Sequence, residues 1–188
     1  MPTTALLLID VINAFDFDGG ELLVEQATTT IAPIKRLITK ARAAGAPIIY
    51  ANDNYGNWTE TFDTLVARCQ SDDNRGCEVV RALAPQDGDH FILKPKHSAF
   101  YLTPLDALLK QLDAERLVIC GYAGDICVLF TANDAYMREY SVCVPEDAVA
   151  SETADGNACA LTMLRENLSV DTTPVVAVEF RQEVEAEV

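Results

Sequence analysis

The sequence predicts a three-layer α/β/α fold, a six-stranded parallel sheet with helices on both faces. Three observations predict it over the 188 residues: short apolar runs bounded by turn residues, longer stretches of helical period between them, and no linker or repeat that breaks the alternation. Strands covered on both faces read as continuous apolar runs, and a parallel pair needs a crossover of helix length. At 49% hydrophobic residues the chain can bury one ordinary core, so a single domain over residues 1–188 is expected.

The expected strands, in order, are "ALLLID" at 5–10, "PIIYAN" at 47–52, "HFILK" at 90–94, "RLVICG" at 116–121, "SVCVPE" at 141–146 and "VVAVEF" at 175–180. Helical spacing falls near 24–44, 59–68, 104–112, 127–138 and 156–166. The first helix should stop at Gly45, with Pro47 two residues on opening the next strand. Residues 69–90 are the longest stretch of mixed polarity. They read as a connection holding a short helix, with a lid as the other reading.

A formal charge of −15 and a pI near 4.3 repel phosphate backbones and anionic headgroups, so neither nucleic acid nor membrane is expected as a partner. Much of that charge lies in loops and in the tail "EFRQEVEAEV" and reads as solvated surface rather than a cation site. No apolar run reaches the roughly 20 residues of a membrane span and the start lacks a secretory pattern, so a cytosolic, cytoplasmic location is expected. The six cysteines show no CxxC pair, and His90 and His97 are the only histidines. Reduced thiols are expected, with no metal centre and no cofactor.

In open parallel sheets ligands bind beyond the carboxyl ends of the strands, which directs attention to polar residues ending apolar runs. Asp10 ends the first run, Lys94 the third, and Cys127 follows the turn after the fourth. Each has a plainer reading: Asp10 as a turn residue, Lys94 as a surface lysine with Lys96 as its rival, Cys127 as a small core thiol. Cys127 has the strongest local context. Gly121 and Gly124 permit a sharp turn, and Val128, Thr131, Ala132 and Ala135 then follow helical spacing. A thiol in a helix's first turn meets amide dipoles that favour the thiolate and that can bind a developing oxyanion.

The blocks "LLLIDVINAF", "LKPKHSAFYLTPLDALL" and "LVICGYAGDICVLFTANDAYMREYSVCVPEDAVAS" resemble, in this order, the three motif blocks of the isochorismatase-like cysteine hydrolases. That family includes nicotinamidases, N-carbamoylsarcosine amidases, ureide hydrolases and isochorismatases. The resemblance implies an Asp, Lys and Cys triad of Asp10, Lys94 and Cys127, with the lysine four residues before "SAF". It also implies a non-proline cis peptide at Tyr122–Ala123 and an oxyanion hole from the Ala123 and Cys127 amides. Three positions depart from common family patterns: Ile12 stands where Gln is frequent, Gly124 where Thr is frequent, and "ANDNYGNWTETF" lacks the histidine of metal-binding nicotinamidases. Nicotinamidase is therefore disfavoured.

The expected function is hydrolysis of a small amide, imide or ureide C–N bond through a thioester. Vinyl ether cleavage of the isochorismatase type, or a redox-sensing or scaffold role for Cys127, are the alternatives. Expected substrate contacts are Phe15, Asp53, Asn54, Trp58, Tyr101 and Tyr122, while Phe100 reads as packing. The partner is a small-molecule amide, and the family resemblance implies a homo-oligomer, a dimer or tetramer.

Overall fold

The computed structural model describes residues 3–180. Strands β1 (Thr3–Ile9), β2 (Ile48–Asp53), β3 (His90–Lys94), β4 (Ala114–Tyr122), β5 (Ser141–Cys143) and β6 (Val149–Ala150) make one six-stranded parallel sheet in the order β3-β2-β1-β4-β5, with β6 also paired to β4. The registers explain the arrangement at that edge. β5 pairs with Arg116–Val118 and β6 with Gly121–Tyr122, so these two short strands follow one another along the same side of β4.

Period-two alternation along β1 sends Leu6 and Leu8 to one core and Ala5, Leu7 and Ile9 to the other, all fully buried. Helices α1 (Gly20–Ala43), α2 (Phe62–Cys69) and α3 (Cys77–Ala82) cover the first face through Leu23, Ile34, Leu37, Phe62, Leu65, Val79 and Val80. Helices α4 (Leu105–Gln111), α5 (Leu129–Met137) and α6 (Ala154–Leu168) cover the second through Leu105, Leu109, Ala132, Ala135, Leu161 and Leu164. This is the expected three-layer architecture. The α2 start is fixed by a reciprocal cap between Thr61 and Thr64, and α6 by Thr153, whose hydroxyl accepts from the Gly156 amide.

The sixth strand is not where the apolar pattern put it. Residues 175–180 hold a short 3-10 turn at Val175–Ala177 after Pro174, and the sixth strand is the two-residue β6. The carbonyls of Val175, Val176 and Val178 are satisfied not by a ladder but by the ammonium of Lys40 on α1, at 2.9, 3.0 and 2.8 Å. Val175 and Val178 thus stay buried as a strap over the first core, with Val176 exposed, while the edge of β4 is already occupied. The acidic residues of 181–188 lie outside the described residues.

Within 69–90, α3 is the expected short helix. It is docked: an ideal Cβ at Gly76 would lie 2.0 Å from the Asn13 carbonyl oxygen, and Arg75 donates to the Phe15 carbonyl at 3.2 Å. Near the end of β4, Gly121 has φ +114, and a Cβ there would lie 2.1 Å from the Ile9 carbonyl oxygen, so only glycine lets β4 close on β1. No helix among the described residues is long and apolar enough to cross a membrane.

Candidate active site

The carboxyl ends of β1, β2 and β3 meet at one rim, where Asp10, Asp53 and Lys94 come together, and Cys127 joins them from the turn after β4. Asp10 sits one residue past β1 with φ +50, which turns its carboxylate back toward β2, where Oδ1 accepts the Asp53 amide at 2.7 Å. Its other oxygen, Oδ2, lies 2.9 Å from Nζ of Lys94, the last residue of β3. Lys94 is fully buried and also donates to Cys127 Sγ at 3.5 Å and to the Lys96 carbonyl at 3.2 Å, with Asp53 Oδ2 at 3.7 Å. The surface-lysine reading of Lys94 is excluded by this burial. Lys96 is exposed.

Cys127 comes from a different local device. The Tyr122–Ala123 peptide is cis, and the chain then enters a π-helical turn at Gly124–Val128 that runs into α5. The Ala123 carbonyl accepts the amides of Ile126 and Val128, each at 3.1 Å, which pins the turn under the thiol. Gly124 has a steric reason here: a Cβ would come 2.2 Å from Asn157 Oδ1 and 3.1 Å from Ser151 Oγ. Ser151 accepts the Asp125 amide at 3.0 Å and donates to Asn157 at 3.1 Å. In this chain α6 therefore fills the space that a threonine side chain would need, and Ser151 supplies a hydroxyl to the turn.

The electrostatics of the three groups are coupled. Burial pushes the Cys127 thiol well above its ordinary value, Asp10 adds to the shift and Lys94 opposes it. Burial likewise raises the Asp10 carboxyl against the pull of Lys94. Burial works against the Lys94 ammonium, but Asp10, Cys127 and Asp53 outweigh it and hold its pKa above the usual lysine value. Desolvation and the neighbouring carboxylate thus act against the thiolate that amide dipoles at the start of a helix favour, while Lys94 acts for it.

Asp10, Asp53, Ala123 and Cys127 line a cavity of about 260 Å³. Asn13, Phe17, Tyr55, His97, Ile126 and Glu152 join them, and none of these six was selected from sequence. His97 brings Nδ1 to 3.8 Å from the sulfur and stacks on Phe130. Of the six expected substrate contacts, Asp53 is the one in this wall. Phe15 is fully buried against Tyr122, whose hydroxyl bonds Thr30 at 2.8 Å, and both belong to the first core. Asn54 is buried and turns its side chain to the Gly56 amide. Trp58 and Tyr101 are 78% and 52% exposed, away from the cavity walls. Ile12 is buried in the first core and offers the site no polar group.

The α/β/α fold thus carries at its rim a buried lysine that joins a strand-end carboxylate to a thiol, and the comparisons show the family. The chain belongs to the isochorismatase family, a family of hydrolases whose isochorismatase domain matches residues 4–176. It is 45% identical over 169 residues to the uncharacterized isochorismatase family protein YaaI of Bacillus subtilis, covering 90% of this chain and 92% of that one. It is 33% identical to the ureidoacrylate amidohydrolase RutB of Methylobacterium radiotolerans, over 78% of this chain and 66% of that protein. Among solved structures it resembles N-carbamoylsarcosine amidase from Thermoplasma acidophilum, with TM-score 0.73, 29% identity, and 94% and 99% of the two chains covered. The nicotinamidase SaPncA of Staphylococcus aureus is similar at TM-score 0.70 and 28% identity, over 92% and 99%.

Proposed function

We propose that this enzyme hydrolyses the C–N bond of a small amide or ureide through a thioester on Cys127. The observation that carries the reading is Lys94: a fully buried ammonium 2.9 Å from Asp10 and 3.5 Å from the thiol, behind the wall of a cavity into which that thiol faces. The relatives named for amide cleavage support the same bond class.

In the mechanism, Asp10 takes the Cys127 proton as the sulfur attacks the carbonyl, so no free thiolate has to accumulate. The oxyanion forms against the amides of Ala123 and Cys127. Protonated Asp10 then gives its proton to the leaving nitrogen, the C–N bond breaks, and ammonia or an amine departs. Water attacks the thioester with Asp10 again as base, and the proton returns to sulfur as the acid product leaves. Lys94 stays protonated throughout and steadies whichever neighbour carries negative charge.

Two other chemistries are less well supported. Vinyl ether cleavage has no use for a thiol facing the cavity. A peroxide sensor needs an accessible thiolate, whereas burial and Asp10 act against ionisation of Cys127. The test is ammonia release over a panel of carbamoyl, nicotinamide-like and ureide amides, with intact mass of the protein taken during turnover. Ammonia and a mass increase on Cys127 are expected. Absence of turnover across the panel, with no adduct from an electrophilic amide, overturns the reading.

A further inference from the structure

We propose that the cavity takes an amide whose end remote from the scissile carbonyl is cationic, an ammonium or guanidinium seated on the Glu152 carboxylate. The inference rests on the amidase reading and names the substrate class of the same site.

Glu152 follows Ser151 at the end of β6 and shares the cavity wall with Cys127. Its carboxyl group lies over Gly19, where φ is +88 and a Cβ would come 2.8 Å from Glu152 Cδ and Oε2. A bare glycine therefore makes the room in which the carboxylate sits. Among the described residues the Glu152 side chain has neither an ion pair nor a hydrogen bond, although it is partly buried. Its surroundings favour it only through the N-terminus of α1, where Gly19 holds the cap position without a side-chain cap, so the partly buried carboxylate still gains from a ligand that supplies a full positive charge.

The rest of the wall has the same sign. Asp10, Asp53 and Glu152 line the cavity, and no lysine or arginine does. Lys94 reaches in from the buried side, but it is already shared by Asp10 at 2.9 Å and Asp53 at 3.7 Å. Glu152 is left without a cation. The half-exposed rings of Phe17 and Tyr55 line the same space, and aromatic faces beside a carboxylate are the surroundings that hold an organic cation. A substrate ending in a carboxylate, as the name ureidoacrylate implies for the substrate of a relative, would meet like charge here. His97 is the one lining residue among those described that could oppose that repulsion.

The first experiment needs no turnover. Cys127 is modified with a trimethylammonium-ethyl and a sulfonatoethyl methanethiosulfonate, the thiol sulfur forming a mixed disulfide as sulfinate leaves. Exposed Cys159, read in the same peptide map, reports the general effect of the −15 net charge. The cation-to-anion rate ratio at Cys127 is expected to exceed that at Cys159 about tenfold. It should fall at least threefold in Glu152→Gln and invert in Glu152→Lys. Equal ratios at the two thiols, or a ratio indifferent to Glu152, overturn the proposal. The second arm compares kcat/KM for matched amides ending in an ammonium or a carboxylate, the ammonium being preferred and the preference lost in Glu152→Gln through KM. Preference for the carboxylate overturns the proposal. Turnover of neither amide sinks the amidase reading instead, and the labelling ratio then decides this inference by itself.

Discussion

The Lys94 ammonium is 2.9 Å from the Asp10 carboxylate and has no exposed side-chain surface. Pairs of this kind are costly to desolvate and costly to break, and they persist where both charges are held by further hydrogen bonds. Here Asp10 has the Asp53 amide, and Lys94 has the Lys96 carbonyl and the Cys127 sulfur. The pair is therefore the electrostatic frame of the thiol, and the predictions below test that frame from different sides.

Cys127→Ser keeps the shape of the turn and replaces the nucleophile with a far poorer one. The expected loss in kcat is at least about 10³, with unfolding free energy within about 1 kcal/mol of the parent. Steady-state rates and urea melts check both halves. Undiminished turnover would remove Cys127 from the mechanism.

The thiol should titrate in opposite directions in two variants. Asp10 raises the Cys127 pKa and Lys94 lowers it, so Asp10→Asn should move the midpoint of iodoacetamide alkylation down and Lys94→Met should move it up. Turnover should fall by roughly 10³ or more in both, because Asp10→Asn lacks the base even where its thiol ionises more readily. Midpoints that match the parent in either variant contradict the coupling.

Lys94→Met should also reveal Asp10 through stability. Without the ammonium, the buried carboxyl has a folded-state pKa raised further above its ordinary value of 3.8. For a raised carboxyl the folded state holds its proton more tightly, so the penalty is absent below the unfolded pKa and grows as pH climbs toward the folded one. The deficit against the parent should reach about 3 kcal/mol at pH 8 and shrink at pH 5. Chemical denaturation at the two pH values decides it, and an equal deficit at both would refute the argument.

Gly124→Thr should cost about 2 kcal/mol, because its Cβ would fall 2.2 Å from Asn157 Oδ1, and Asn157 is held by Ser151 and the Val149 carbonyl. Removing the obstacle with Asn157→Gly in the same chain should recover at least about half of that loss. Additive costs in this double-mutant cycle would mean that the glycine answers to something other than α6.

Much of the frame was legible in residue order. The apolar runs at 5–10, 47–52 and 116–121 lie on β1, β2 and β4, because central strands buried on both faces leave an unbroken apolar signal, and the run at 90–94 lies on the edge strand β3, which keeps Ile92 and Lys94 buried. Asp10 and Lys94 stood out as charges ending such runs, and Cys127 as a thiol between a glycine turn and a helical period. Glu152 stood at a strand end too, but β6 is only Val149–Ala150, too short to carry any period, while the longer run at 175–180 drew the sixth strand away from it.

By itself, then, the sequence determined the layered sheet and the three groups at its rim, since burial pattern and strand ends are local properties of the chain. The tertiary structure decided what surrounds them: that Lys94 is buried, that burial and Asp10 raise the Cys127 thiol, that Phe15 and Tyr122 pack in the core, and that Tyr55, His97 and Glu152 share the cavity. Those outcomes depend on distances between residues 30 to 140 positions apart, set by strand register and helix packing, to which neighbouring residues in the chain are blind.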